Sequence, residues 1–230
     1  MQSNQQEYIA YARKFAEDRK CHLWLGGSFL HGTSTPYSDV DLSALCGKEE
    51  LRDLIYGYSE PVLLSSTTNP PGILIVIYKD GVAVDLEVLE QVEGYSSEPG
   101  TSFSSEERSE CFFHLDRIKD KKYERNESIC QGFALREDEP YQMSRLFHRS
   151  LIKYLCGKSA VGSGDSAIGS GKITVGISVA NEIAEYMSSG TIACEDNYPQ
   201  VIRSLWKDFR NQYPLPHAYC KIIDELLAIL

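Results

Sequence analysis

Two aspartates that follow a glycine turn are the first residues in the chain that could do chemistry. Asp39 and Asp41 stand two residues apart, so on a β-strand both carboxylates point to one face while Val40 and Leu42 point to the other. Carboxylates placed side by side repel each other. Divalent cations with oxygen ligands would compensate this charge. The spacing therefore predicts a metal site on a strand.

The glycine turn lies shortly upstream, where Leu25-Gly26-Gly27-Ser28 closes an apolar segment. Gly26 and Gly27 permit a tight turn, and Ser28 begins a segment whose backbone N–H groups can face a phosphate. A phosphate-binding turn followed by a metal-binding carboxylate pair is typical of phosphoryl or nucleotidyl transfer.

This pattern resembles the nucleotidyltransferase superfamily related to DNA polymerase beta. That family combines Gly-Ser, a short gap and Asp-x-Asp within an apolar strand, and it carries a third carboxylate on a later strand. The resemblance covers roughly residues 23–89, and its matching residues are Gly27, Ser28, Asp39, Asp41 and Asp85.

The resemblance implies in-line attack on the α-phosphate of ATP or another nucleoside triphosphate. It implies two Mg²⁺ ions held by Asp39 and Asp41, with Asp85 on the ion nearer the acceptor, and outer phosphates bound at Gly27 and Ser28. Glu87 follows Asp85 on the same strand face. A general base and an exposed structural carboxylate are both open interpretations of Glu87.

A second candidate region lies in the C-terminal half. Arg145, Arg149 and Lys153 are spaced four residues apart on a predicted helix, which places them on one face. Because lysines of the helical domain often reach the triphosphate in the resembling family, Lys153 and Arg149 are candidate nucleotide-binding residues. A solvated charged face is the alternative.

The elements that would position these residues form an α/β (α+β) fold. We predict a mixed-sheet nucleotidyltransferase domain over residues 1–103 and a C-terminal helical bundle over residues 104–230. In the first domain, periodicity predicts helices at 4–19 and 48–58 and strands at 21–25, 38–45, 61–66, 73–78 and 82–89, with a hairpin turn at 79–81. In the second, it predicts helices at 104–125, opened by a Ser104–Glu107 capping box, and at 141–156, 173–187, 199–210 and 217–230.

A glycine-rich segment at residues 162–172 invites comparison with a phosphate-binding P-loop. The P-loop requires Ser or Thr after its lysine, whereas Ile173 follows Lys172, and a helix rather than a strand precedes the segment. We predict a flexible linker here.

The formal net charge of −10 lies entirely in the first half. Residues 1–115 carry eight lysines and arginines against eighteen acidic residues, whereas residues 116–230 carry fifteen of each. Nucleic-acid binders need cationic surfaces, so no nucleic-acid partner is expected. The acidic residues after Asp85 (Glu87, Glu90, Glu93 and Glu98) favour a cationic, hydroxyl-bearing acceptor such as an aminoglycoside, or they serve only to keep a surface loop soluble.

Seven scattered cysteines without a Cys-x-x-Cys pair indicate reduced thiols. With neither a signal peptide nor an apolar run long enough to span a membrane, we expect a cytoplasmic protein without a membrane partner. The function expected first is nucleotidyl transfer to a small molecule, as in antibiotic resistance. The alternatives are a protein adenylyltransferase of antitoxin type and a non-catalytic nucleotide-binding module.

Overall fold

A computed structural model describes residues 2–95, 112–116, 118–136 and 138–230. These residues form two compact units. The first contains the described residues up to Ser34 and those from Asp39 to Leu135, and the second contains Thr35–Ser38 and Arg136–Leu230. The predicted domain boundary at residues 103 and 104, and the Ser104–Glu107 capping box, lie outside the described residues.

The first unit is built on one mixed sheet, which has seven strands in the described part of the chain. Their order is β3-β4-β5-β2-β1-β6, and β7 also pairs with β5. The strands are β1 His22–Leu25, β2 Val40–Leu45, β3 Pro61–Thr68, β4 Pro71–Tyr78, β5 Ala83–Val92, β6 Phe113–His114 and β7 Tyr123–Arg125. Its helices are α1 Gln2–Arg19, α2 Gly27–Leu30, α3 Lys48–Tyr58 and α4 Glu127–Cys130.

Successive side chains alternate between the two faces of the sheet, and one face carries the main core while the other carries a smaller buried cluster that includes Trp24, Leu45 and Leu89. Val84, Leu86 and Val88 of β5 are buried in the main core, as are Tyr8 of α1 and Leu51 of α3. This packing fixes which residues of β2 and β5 remain for the opposite face. The predicted strands β1 to β5, the helices α1 and α3 and the hairpin turn between β4 and β5 are confirmed.

The predicted helix at residues 104–125 is wrong from Phe113 onward, whereas Phe112 is helical and residues 104–111 lie outside the described part of the chain. The described residues from 113 to 125 contain the short strands β6 and β7 and a 3-10 helix, Ile118–Asp120. The strand β6 pairs in parallel with β1, and β7 pairs antiparallel with β5. Pairing with strands distant in the sequence therefore overrides the helix predicted from the local sequence.

The second unit is helical. Its helices are α5 Glu139–Gly162, α6 Ser166–Tyr186, α7 Tyr198–Gln212 and α8 His217–Ile229. The four helices predicted at residues 141–156, 173–187, 199–210 and 217–230 are confirmed, although α5 and α6 extend further than expected.

The predicted flexible linker at residues 162–172 is wrong. Gly162 ends α5, and α6 begins at Ser166 with the Asp165 side chain accepting a hydrogen bond from the backbone N–H of Ile168 at 3.2 Å. A Cβ at Gly169 would lie 2.8 Å from the carbonyl oxygen of Gly157. Gly169 thus allows close packing of α5 and α6, and the segment is helical rather than a flexible linker.

In the described residues, no helix is long and apolar enough to cross a membrane.

Candidate active site

Three of the predicted carboxylates, Asp41, Asp85 and Glu87, alternate with core residues along β2 and β5 and so lie on the face of the sheet opposite the main core. Strands β2 and β5 run parallel, and their register sets Asp41 opposite Asp85 and Ser43 opposite Glu87. Neighbouring strands lie about 4.8 Å apart, so residues in register present their side chains side by side. Asp41 and Asp85 therefore form a carboxylate pair.

Asp39 differs from this pair because β2 begins one residue later, at Val40. Asp39 therefore precedes the strand, where its side chain is buried with 7% of its surface exposed. The structure therefore assigns only Asp41 of the two aspartates to the strand, and the expectation that both share one strand face stays a prediction.

The glycine turn lies against the Asp41 carboxylate. The N–H of Gly26 donates to the carbonyl oxygen of Asp41 at 2.8 Å, which ties the turn to β2. Gly27 has a φ of +59°, and a Cβ at this position would collide with Oδ2 of Asp41. Only glycine leaves room for the carboxylate while adopting this backbone conformation. The next residue, Ser28, is half-buried within the four-residue helix α2.

Glu87 is held by two hydrogen bonds on the same face. The Ser43 hydroxyl donates to Oε2 at 2.8 Å, and Nε of Arg125 donates to Oε1 at 2.6 Å. Both carboxylate oxygens therefore accept bonds from within the protein. This arrangement suits a positioning residue, and the general-base role of Glu87 stays a prediction.

Arg125 and Ser43 were not among the residues predicted from the sequence. Arg125 lay in the segment predicted to be a helix, so its place beside β5 could not be foreseen. Ser43 could have been found, because it follows Asp41 by two residues and therefore shares its strand face.

Charge in this network is balanced by the ion pair between Arg125 and Glu87. Partial burial alone would lower the pKa of Arg125, but its hydrogen bond and charge attraction to Glu87 outweigh that effect and raise the pKa. Burial raises the pKa of the neighbouring Tyr123 hydroxyl, and the negative charge of Glu87 raises it further. Arg125 is therefore a cation and Tyr123 a neutral hydroxyl over the physiological range.

The donor chemistry of the carboxylate pair fits a hard divalent cation. Mg²⁺ prefers carboxylate oxygens, and the missing side chain at Gly27 leaves space for the Asp41 carboxylate on one side of the pair. In the described part of the chain, no three His, Cys, Asp or Glu side chains are gathered closely enough to hold a metal ion. The register of β2 and β5 brings together Asp41 and Asp85, two of the three predicted ligands. The metal-binding roles of Asp39, Asp41 and Asp85 stay predictions.

The candidate cations of the C-terminal half lie on α5 in the second unit. Arg149 is exposed and Lys153 is half-buried. They stand at positions i and i+4 of the helix, so they share one face, as predicted.

A search of protein-family models found no match to the chain, and a search of curated proteins found none.

Proposed function

We propose that this protein is a Mg²⁺-dependent nucleotidyltransferase that moves a nucleoside monophosphate, AMP in the first instance, from a triphosphate to a hydroxyl of a small molecule. The observation that carries the proposal is the register of β2 and β5, which sets Asp41 beside Asp85 on the face opposite the core. The same assignment is supported by the resemblance of the segment from Gly27 to Asp85 to the nucleotidyltransferase motif.

Each residue of the site has a separate task in this reaction. Asp41 and Asp85 would hold Mg²⁺, and a ligand role for Asp39, just before β2, is proposed from the motif resemblance alone. When bound, Mg²⁺ stabilises charge on the α-phosphate and lowers the pKa of the attacking hydroxyl. The hydroxyl of Ser28 and the backbone N–H groups beside it donate to the outer phosphates. Lys153 and Arg149 are proposed as further contacts of the triphosphate.

The positions of Asp41 and Asp85 indicate on which side of the site the nucleotide binds and on which side the acceptor binds. Gly27 adjoins Asp41, and Asp85 lies on the next strand, on the side of Asp41 away from β1. Phosphates bound at the turn therefore approach from the Asp41 side. We accordingly assign the acceptor hydroxyl to the Asp85 side.

The test is transfer of label from each α-³²P nucleoside triphosphate, with MgCl₂, to a panel of aminoglycosides, lincosamides and small hydroxylated anions. Asp41→Asn and Asp85→Asn should each lower transfer by about a hundredfold or more, because they remove charge that holds the ion while keeping side-chain size. Calorimetry should also show weaker Mg²⁺-dependent ATP binding in both variants.

Asp53→Asn is the matched control, since Asp53 is a surface carboxylate of the same unit whose partner is Arg19 at 2.7 Å. It should leave transfer and nucleotide binding unchanged. Near-normal transfer in either active-site variant would contradict the proposal. Label on a protein instead of a small molecule would support the antitoxin-type alternative, and ATP binding without transfer would support the non-catalytic one.

A further inference from the structure

Arg125 is a cation that three parts of the first unit hold in place beside the carboxylate pair. Its Nε donates to Glu87, and Glu87 is itself held by the hydroxyl of the buried Ser43. Gly72 borders the stem of Arg125, since a Cβ there would lie 2.8 Å from the Arg125 Cβ and 3.2 Å from its Cδ. Gly72 has a φ of +81°, which side chains other than hydrogen rarely adopt.

Within the described ranges, the hydrogen bond to Glu87 engages only the Nε donor of the Arg125 guanidinium. A guanidinium has five N–H donors in a planar fork, and Glu87 takes the one on Nε. The Tyr123 hydroxyl lies near enough to Arg125 and Glu87 to interact electrostatically with both. The two Nη nitrogens carry four further N–H groups, and such a fork matches the geometry of a carboxylate or a phosphate.

The sheet places Arg125 on the opposite flank of the carboxylate pair from the glycine turn. Leu89 of β5 pairs with Leu45 of β2 on one side and with Arg125 of β7 on the other. The order across the sheet is therefore Gly27 and Asp41, then Asp85, then the Arg125 side. A phosphate held at the glycine turn is separated from Arg125 by both carboxylates.

We propose that Arg125 binds an anionic group of the acceptor, so that the acceptor is a hydroxylated carboxylate or phosphate compound. This inference rests on the proposed nucleotidyl transfer, because Asp85 marks the acceptor side. Glu87 holds the guanidinium two residues beyond Asp85, which is about 7 Å along the strand. The acceptor therefore carries its anionic group at about that distance from its reacting hydroxyl.

The sheet surface beside Asp85 and Glu87 is apolar and suits a short carbon skeleton of the acceptor. Ile75 lies opposite Asp85 and Ile73 lies opposite Glu87, and both isoleucines are half-buried. Arg125 also neutralises Glu87. In the sequence analysis Glu87 was one of the acidic residues that favoured a cationic acceptor. A cationic amine near Arg125 would be repelled, so the two expectations predict opposite ligand charge.

The test uses the full chain and three small probes that differ in charge: glycerol phosphate, glycerol and ethanolamine. Binding is followed by ¹H–¹⁵N NMR of the arginine Nε–H signals, with Arg125 identified by its loss in Arg125→Lys. Glycerol phosphate should bind saturably and shift the Arg125 signal, whereas glycerol and ethanolamine should not. Arg125→Gln should weaken glycerol phosphate binding about tenfold or more, the effect expected of a charge-assisted hydrogen bond.

Arg136→Gln is the matched control, because Arg136 likewise pairs through Nε with a carboxylate, Asp138, at 2.6 Å in the second unit. It should leave glycerol phosphate binding unchanged. Ser43→Ala keeps Arg125 but loosens Glu87, and it should weaken the same binding by a smaller factor. This variant keeps the inference testable if Arg125→Gln unfolds.

The outcomes separate this inference from the proposed function. Glycerol phosphate binding that is absent, or unchanged in Arg125→Gln, would overturn it, and so would preferred binding of ethanolamine. An equal loss of Mg²⁺-ATP affinity in Arg125→Gln would also overturn it, because Arg125 would then serve the nucleotide. Arg125-dependent glycerol phosphate binding without any Mg²⁺-ATP binding in the parent chain would support the anion site and reject the nucleotidyltransferase proposal.

Discussion

At the scale of single residues, the space beside Gly27 holds the Asp41 carboxylate and has no room for a side chain at residue 27. The Asp41 carboxylate lies where a Cβ of residue 27 would stand. A glycine that only made a turn would tolerate alanine at the cost of backbone strain. Gly27 must also leave the carboxylate in place, so it supports both the backbone turn and the candidate metal ligand.

Gly27→Ala should therefore destabilise the protein and disturb Asp41 at once. Adopting positive φ costs an alanine about 1–2 kcal/mol, and the collision with Asp41 adds to this. Gly32→Ala is the matched control, because Gly32 has a φ of +66° and a Cβ there would meet no atom within 4 Å. Urea unfolding should show the backbone cost in both variants, whereas Mg²⁺-dependent ATP binding should weaken only in Gly27→Ala. Equal ATP binding in the two variants would contradict the contact.

Glu87 is the residue whose two interpretations the sequence left open, and its contacts favour positioning over proton transfer. Glu87→Gln keeps an oxygen that can accept the hydrogen bond from Arg125, but it removes the negative charge of residue 87. A positioning role predicts that KM for the acceptor rises by about tenfold, since one charge-assisted bond is weakened, while kcat falls less. Initial rates over a range of acceptor concentrations and pH would measure both.

A general base would give a different kinetic pattern for the same variant. Loss of a base lowers kcat by about 10²- to 10⁴-fold and removes the acidic limb of the pH–rate profile. That result would return Glu87 to the catalytic group. Ser43→Ala serves as the comparison, because it releases one oxygen of Glu87 without changing its charge.

At the scale of elements, local patterns predicted those parts of the fold whose burial follows a simple period. The strand β5 alternates buried Val84, Leu86 and Val88 with Asp85 and Glu87, so both its face and its candidate ligands could be foreseen. The extended segment before β2 is different. Asp39 lies one residue outside the strand, and no periodic signal marks where a strand begins.

The elements that could not be predicted depend on partners distant in the sequence. The strand β7 exists because Leu89 and Val92 of β5 pair with it, and this pairing is what brings Arg125 to Glu87. Likewise, glycines in α6 resemble a linker until α5 is packed against them. Half of the candidate site, the Asp41–Asp85 pair, therefore followed from the sequence, whereas the Arg125 network required the sheet.

Glycine substitutions in α6 should separate helix packing from chain flexibility. A Cβ at Gly176 would lie 2.8 Å from the backbone N of Tyr154 and 2.9 Å from the carbonyl oxygen of Ser150. Gly176→Ala should therefore destabilise the second unit by about 1–3 kcal/mol, the usual cost of overpacking. Thermal and urea unfolding followed by circular dichroism would measure the change.

Gly171→Ala is the matched control on the same helix, because nothing lies within 4 Å of a Cβ at Gly171. Alanine is about 0.5–1 kcal/mol more favourable than glycine inside a helix, so this variant should be more stable than the parent chain. If residues 162–172 were a flexible linker, Gly171→Ala would leave stability unchanged, and that result would contradict the assignment of α6.

At the scale of the whole molecule, each compact unit carries one of the two tryptophans. Trp24 lies in the first unit, where its ring stacks on that of His114 with centroids 4.5 Å apart. Trp206 lies in the second unit and donates from Nε1 to Asp224 at 2.8 Å. Fluorescence of single-tryptophan variants, Trp206→Phe and Trp24→Phe, can therefore follow the unfolding of each unit separately.

His114 should make the stability of the first unit depend on pH. Its ring accepts or donates a hydrogen bond at 3.1 Å with His22, and burial followed by the charge of His22 lowers its pKa to about 4. Asp116 raises this pKa and Lys121 lowers it, both by smaller amounts. Folded His114 is consequently neutral at pH 5, where an unfolded histidine, with a pKa of about 6.5, has already gained a proton.

The sign of the effect follows from this difference in bound protons. Between pH 6.5 and pH 4 the unfolded chain binds the proton that folded His114 excludes, so the free energy of unfolding falls as the pH is lowered through that range. Above about pH 6.5 this contribution is constant.

Urea unfolding of Trp206→Phe at pH 7.5 and pH 5.0 should therefore show a loss of stability at the lower pH. Adding His114→Gln, which keeps a hydrogen-bonding side chain but cannot titrate, should reduce that loss. As the control, Trp206 reports the second unit in Trp24→Phe, and its unfolding transition should not change when His114→Gln is added. An identical pH dependence of the first unit with and without His114 would show that other groups govern its acid sensitivity.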